Sequence, residues 1–201
     1  PSRNAQAVAE HVLGLMLALS RKIPAAHQYV MSGLWQNPVE PYISMRGIEL
    51  AGRTLGIIGL ASIGSRLAIL GKALGMNVIA YDPYVNQTVK LTKLVALDEL
   101  MSHSDFVSIH VPMIAETEGL LDFHRLGLMK TTAYLINPSD ALVVDQQVLL
   151  EVLCQRRIAG AAFDLFETHP IVPSHPLLSM DNVILTPHLA GATGETIERH
   201  S

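Results

Sequence analysis

From residue 54 onward the chain alternates short, wholly apolar runs with helical stretches, and no other feature constrains the fold as much. Six runs are predicted as strands: Thr54–Gly59, Asn77–Asp82, Phe106–Val111, Ala133–Ile136, Ile158–Phe163 and Val183–Leu185. Helices are predicted between them at Ile63–Leu74, Leu97–Ser102, Phe123–Met129 and Asp145–Gln155. Strands apolar on both faces need cover on both. The expected fold is therefore α/β, a doubly wound parallel sheet of Rossmann type. No internal repeat or low-complexity tract interrupts the pattern.

The first fifty residues have a different texture. Asn4 is a candidate N-cap for a helix from Ala5 to Arg21, in which Ala, Val and Leu occupy most faces. Such a helix must be buried, in a core or against another subunit. Gly33 to Gly47 carries Pro38, Pro41 and the lone tryptophan, Trp35, and is expected to be an irregular arm leading into the main domain. The chain opens on Pro1 rather than Met, within a helix-capping sequence, and is expected to be a fragment.

Composition narrows the partners. Of 201 residues, 49% are apolar and 16% charged, which supports a sizeable core and argues against disorder. A net charge of −4 without a basic run argues against nucleic acid or an anionic membrane as partner. No apolar run is long enough to cross a bilayer. The single cysteine, Cys154, excludes an intramolecular disulfide and fits a reducing, cytoplasmic setting. It is expected to be a small buried helix residue. His103, His110, His124 and His175 show no metal-ligand spacing, so no metal is expected.

Gly59-Leu60-Ala61-Ser62-Ile63-Gly64 lies where the first strand turns into a helix, the context a dinucleotide-binding turn requires. Gly59 permits the tight turn and Gly64 a close helix–strand approach, while the helix N-terminus offers N–H groups to a pyrophosphate. The middle position, ordinarily Gly, is Ala61, whose methyl crowds that approach. An ordinary strand–helix turn would have much the same pattern. Asp82 ends the second strand, 18 residues after Gly64, where a carboxylate can accept hydrogen bonds from the adenosine ribose and repel a 2′-phosphate. NAD is thus favoured over NADP, with a turn Asp before Pro83 as the competing reading.

The whole chain resembles the D-isomer-specific 2-hydroxyacid dehydrogenases, a family that includes phosphoglycerate dehydrogenases and glyoxylate reductases. The resemblance is carried by Asn4-Ala5-Gln6-Ala7-Val8-Ala9-Glu10-His11, Gly33-Leu34-Trp35 and Leu50-Ala51-Gly52-Arg53-Thr54-Leu55-Gly56-Ile57-Ile58-Gly59. It continues in Ser104-Asp105-Phe106-Val107-Ser108-Ile109-His110-Val111-Pro112 and Asn182-Val183-Ile184-Leu185-Thr186-Pro187-His188-Leu189-Ala190-Gly191. It implies an NAD-binding domain over residues 1–201, with 1–50 as interdomain helix and dimer arm, and a substrate domain outside this chain. Ser62 and Ile63 would then lie at the pyrophosphate, Asp82 at the ribose, Val111 beside the adenosine and Pro138 near the nicotinamide. Asp164 would hold the carboxamide, and His188 would be the catalytic acid/base, with helix capping as its alternative role. An imidazole titrates near neutrality, as proton exchange with a carbonyl oxygen requires. A homodimer acting on a 2-hydroxy or 2-oxo acid is implied.

Two positions depart from the family pattern. The resemblance implies Asn-x-x-Arg-Gly after the fourth predicted strand, the Arg binding substrate carboxylate, but the run is Asn137-Pro138-Ser139-Asp140-Ala141. It also implies a Glu before a Pro to pair with the catalytic histidine, but His169 precedes Pro170, and Glu167 lies two residues earlier. A guanidinium and a carboxylate about 4 Å apart attract by roughly 4 kcal/mol at an effective dielectric of about 20, and an ionised Asp140 converts that to repulsion. Ordinary 2-oxoacid reduction should fall steeply. A non-catalytic NAD(H)-binding scaffold or sensor of the same fold is the alternative function.

Overall fold

A computed structural model describes residues 3–85 and 92–200. Its elements in chain order are α1 (Ala5–Ser20), α2 (Ile23–Met31), α3 (Val39–Ser44), β1 (Thr54–Ile58), α4 (Ser62–Ala73), β2 (Asn77–Tyr81) and β3 (Lys93–Leu94). There follow α5 (Leu97–His103), β4 (Phe106–Ile109), α6 (Phe123–Leu128), β5 (Tyr134–Asn137), α7 (Gln146–Cys154), β6 (Gly160–Phe163), β7 (Val183–Leu185) and α8 (Gly194–His200). Short 3₁₀ turns occupy Ala141–Val143 and Pro176–Ser179.

The strands form one sheet in the order β3-β2-β1-β4-β5-β6-β7, with every pairing parallel. Successive residues of a strand face opposite sides, and both sides are apolar here. Leu55, Ile57, Phe106 and Ile136 face a core shared with α1 and α4. Ile58, Val107, Leu135 and Phe163 face a second core beneath α5, α6 and α7. Because chain order reverses about β1, a crevice opens between the carboxyl ends of β1 and β4, where open α/β sheets collect ligands. Asp122 and Asp145 start α6 and α7 by accepting hydrogen bonds from Arg125 N and Val148 N.

The predicted doubly wound sheet is present, with boundaries shifted by a residue or two. A seventh strand, β3, escaped the sequence reading because two residues cannot express a period. Helix α1 needs no second subunit for cover: Val12 and Met16 are fully buried within this chain, where α1 packs on α4 and crosses β5, β6 and β7. Asn4 sits at its N-cap position but makes no side-chain cap. The arm is less irregular than expected. It includes α3, tied back to α2 by Tyr29 Oη donating to Glu40 Oε2 (2.7 Å), and Lys22 Nζ donates to the carbonyl of Ser44 (3.1 Å). Cys154, expected to be buried, is exposed at the end of α7, whose inward positions are taken by Leu149, Val152 and Leu153.

Candidate active site

The turn after β1 is built on two close approaches. Gly59 has φ +93°, and a Cβ there would lie 2.7 Å from the carbonyl oxygen of His110. A Cβ on Gly64 would lie 2.1 Å from the carbonyl oxygen of Gly59, so α4 sits against the turn with no room for a methyl group. Ala61, by contrast, is exposed at the N-cap of α4 with φ −73°, a backbone that any residue adopts. Its methyl therefore neither strains nor blocks the turn. The first-turn N–H groups of α4, beginning with Ser62 and Ile63, have no acceptors within the helix and face the crevice with the positive end of its dipole.

Asp82 performs the turn role and a second one. Its Oδ1 accepts from Tyr84 N (2.9 Å), which closes the Asp-Pro turn, and its Oδ2 accepts from Leu60 N (2.8 Å). The carboxylate thus pins the end of β2 to the Gly59–Gly64 turn, and each oxygen retains acceptor capacity.

Beside that turn lies a cavity of about 710 Å³, within the range of small-molecule sites. Ile63, Val111, Pro138, Asp164 and His188 line it, so five of the positions singled out in the sequence converge from α4, β4, β5, β6 and the loop after β7. Gly59, Ala61, Ser62, Gly64 and Asp82 form the adjoining turn. The features fit a dinucleotide: a cradle that a Cβ would fill, helix N–H groups without acceptors within the helix, and a cavity beside them.

His188 is exposed and has a left-handed backbone (φ +57°), with its N–H bonded to the carbonyl of Asp164 (2.9 Å). The Asp164 carboxylate is fully buried. Its Oδ1 accepts from Leu189 N (2.9 Å) and Thr186 Oγ1, and its Oδ2 from Ala190 N (2.8 Å). One acceptor position on Oδ2 remains open. His169 lies next to His188, ring centroids 5.8 Å apart, and accepts at Nε2 from Phe166 N (3.4 Å). Asp140 is not among the cavity-lining residues: its Oδ1 accepts from Leu142 N (2.9 Å), capping the turn at Ala141–Val143. Glu167 is exposed, with no hydrogen bond or ion pair among the described residues.

Sequence reasoning passed over His110, although Val111 beside it was singled out. Its Nε2 pairs with Ser108 Oγ (2.9 Å), and its Nδ1 is buried without a partner at the cavity wall. Burial pushes the imidazole down to about 3. The available signal was periodicity, which puts Ser108 and His110 on one face of β4 at the point where the sheet reverses.

Fold and site together define a dinucleotide-binding α/β domain. A family model described as the D-isomer-specific 2-hydroxyacid dehydrogenase NAD-binding domain matches residues 13–190. The chain belongs to that family, as its NAD-binding domain. It is 42% identical to a glyoxylate reductase of Thermofilum pendens over 96% of its own length and 58% of that protein's. Among solved structures it is similar to an acyclic imino acid reductase in complex with NADPH and D-Arg, with a TM-score of 0.91 and 36% identity over 99% of this chain and 62% of that one. It is also similar to a D-lactate dehydrogenase of Aquifex aeolicus complexed with NAD and lactic acid, with a TM-score of 0.87 and 32% identity over 99% of this chain and 64% of that one. The chain thus spans under two thirds of the length of these relatives.

His110 generates a pH prediction. Below its ordinary value of 6.5 the unfolded chain takes up a proton that the folded chain refuses until about 3. Folding stability from this residue is therefore lost progressively as pH falls through that window. The stability difference between wild type and His110→Gln, from urea midpoints between pH 7 and 4, should shrink as pH falls. A constant difference would contradict a neutral, buried imidazole.

Proposed function

We propose that the chain seats NAD(H) along the carboxyl edge of the sheet, in a protein that interconverts 2-hydroxy and 2-oxo acids. Gly59, Ala61, Ser62, Ile63 and Gly64 hold the pyrophosphate, Asp82 the adenosine ribose, and Val111 lies beside the adenosine. Pro138 and His188 flank the nicotinamide, and the open acceptor position on Asp164 Oδ2 takes the carboxamide. The observation that carries this reading is the convergence of Ile63, Val111, Pro138, Asp164 and His188 on one cavity next to a helix N-terminus.

Bound NADH supplies the hydride. His188 donates a proton to the carbonyl oxygen of the substrate as that oxygen gains negative charge, and takes it back in the oxidative direction. The left-handed turn holds the imidazole at the cavity rim, and its exposure lets it exchange that proton with water. A non-catalytic NAD(H) scaffold is the second reading. It is favoured by Asp140, whose carboxylate caps a turn where an anion-binding Arg is expected, and by an imidazole, His169, in place of a carboxylate beside His188. Residues 1–50 link to a substrate domain outside this chain and clasp a second copy in a cytoplasmic homodimer. The lone Cys154 suits that compartment, and α2, α3 and the segment between them expose Met31 (70%), Trp35 (56%), Tyr42 (76%) and Ile43 (61%). No described helix is long and apolar enough to cross a membrane.

Titration calorimetry should give tighter binding of NADH than NADPH, and Asp82→Ala should remove the difference. NADPH binding as tight as NADH would refute the role of Asp82.

Light scattering at micromolar concentration should return a dimer mass, and Trp35→Asp with Tyr42→Asp a monomer. A monomeric wild type would count against the clasp.

Turnover of 2-oxo acids by the full-length protein should be poor, and Asp140→Arg with His169→Glu should raise it far more than either change alone. The panel should include 2-imino acids, given the imino acid reductase among the similar structures. Vigorous wild-type reduction of pyruvate or glyoxylate would show that Asp140 and His169 do not impair the site. A double mutant without gain would favour the scaffold.

A further inference from the structure

The turn that carries His188 hangs on a buried carboxylate, and that carboxylate is reached from an unexpected direction. Asp164 is fully buried at the end of β6 and holds the backbone N–H groups of Leu189 and Ala190. Its remaining neighbour on Oδ1 is the Thr186 hydroxyl. A hydroxyl has one proton, and this one is committed to Asp164, so the oxygen of Thr186 is free only to accept. The imidazole of His11, from α1, lies there: Nε2 is 3.2 Å from Thr186 Oγ1. The same nitrogen is 3.6 Å from Asp164 Oδ1, the one basic side-chain nitrogen within 4 Å of that carboxylate among the described residues.

The direction of the chain follows from this geometry: Nε2–H of His11 donates to Thr186, Thr186 donates to Asp164, and Asp164 receives the two N–H groups that follow His188. A buried anion needs donors on every side, and a left-handed backbone at a residue other than glycine persists only where surrounding contacts fix it. We propose that His11 is a positioning residue: from α1 it supplies the donor that fixes Thr186 and Asp164, and through them the turn that aims His188 into the cavity. The functional side of this inference rests on His188 as the acid/base, but the positioning itself does not.

The test separates those two. In this chain, amide shifts and hydrogen-exchange rates of Leu189 and Ala190 report the turn directly, without cofactor. His11→Leu, which has no donor, should shift both resonances and raise both exchange rates by roughly tenfold or more. His11→Gln, which retains an N–H, should restore both. In the full-length protein His11→Leu should lower kcat on the order of 10- to 100-fold, and His11→Gln should recover most of it. Thr186→Val interrupts the chain one step later and should reproduce the leucine variant, and it serves as the test where His11→Leu does not fold. Unchanged amides in either variant, or a glutamine variant that behaves like leucine, would overturn the proposal. Perturbed amides in a protein whose wild type does not turn over would overturn only the catalytic reading of His188.

Discussion

The contact between Gly64 and the carbonyl oxygen of Gly59 governs how close α4 comes to the carboxyl end of β1, and the rest of the site is laid out from it. With 2.1 Å between that oxygen and a Cβ built on Gly64, any side chain would lift the helix away from the strand. Held there, α4 begins beside the cavity, which Ile63 of its first turn lines. On the other side of the same turn, Gly59 passes against the carbonyl of His110, which brings the end of β4 and the partly buried imidazole that follows it to the cavity wall. Asp82 completes the arrangement by tying Leu60 to the end of β2. The three strands nearest the reversal of the sheet thus meet at one turn.

The opposite half of the cavity depends on charge rather than on close approach. Asp164 is a buried anion, and its hydrogen bonds organise the loop after β7 so that His188 is presented at the rim. Asp140 and His169 lie outside the cavity lining, the first just beyond Ser139 and the second beside His188. The Asp140 carboxylate is turned to the backbone at Leu142, accepting a hydrogen bond from its N–H. Among the described residues no arginine lines the cavity. The His169 ring lies tilted beside that of His188, without the fixed negative charge that a glutamate would bring.

How much of this was legible in the sequence follows from what periodicity and local chemistry can encode. The six longer strands and the four helices between them carry the pattern over enough residues to be read. The short β3, the helices in the arm and α8 do not. The Gly59–Gly64 turn and Asp82 were readable because their roles are local, and Asp82 proved to hold both the turn after Tyr81 and the turn after β1. Cys154 was misread because the helix period of α7 puts Leu149, Val152 and Leu153 inward and leaves position 154 outside. His11 was out of reach of any local pattern. Its partners Thr186 and Asp164 lie more than 150 residues away in the chain, and only the crossing of α1 over β6 and β7 brings them together. Burial of α1 in its own chain likewise moves the case for a dimer from that helix to the exposed aromatic residues of the arm.

The central claim is that the cavity at the β1–β4 reversal is where the dinucleotide binds, and hydrogen–deuterium exchange with and without saturating NADH tests it most directly. The account predicts slowed exchange at residues 59–64, 110–112 and 188–191, with residues 18–25 at the opposite edge of the sheet unchanged. Protection confined to that opposite edge, or bound NADH without protection at 59–64, would contradict it.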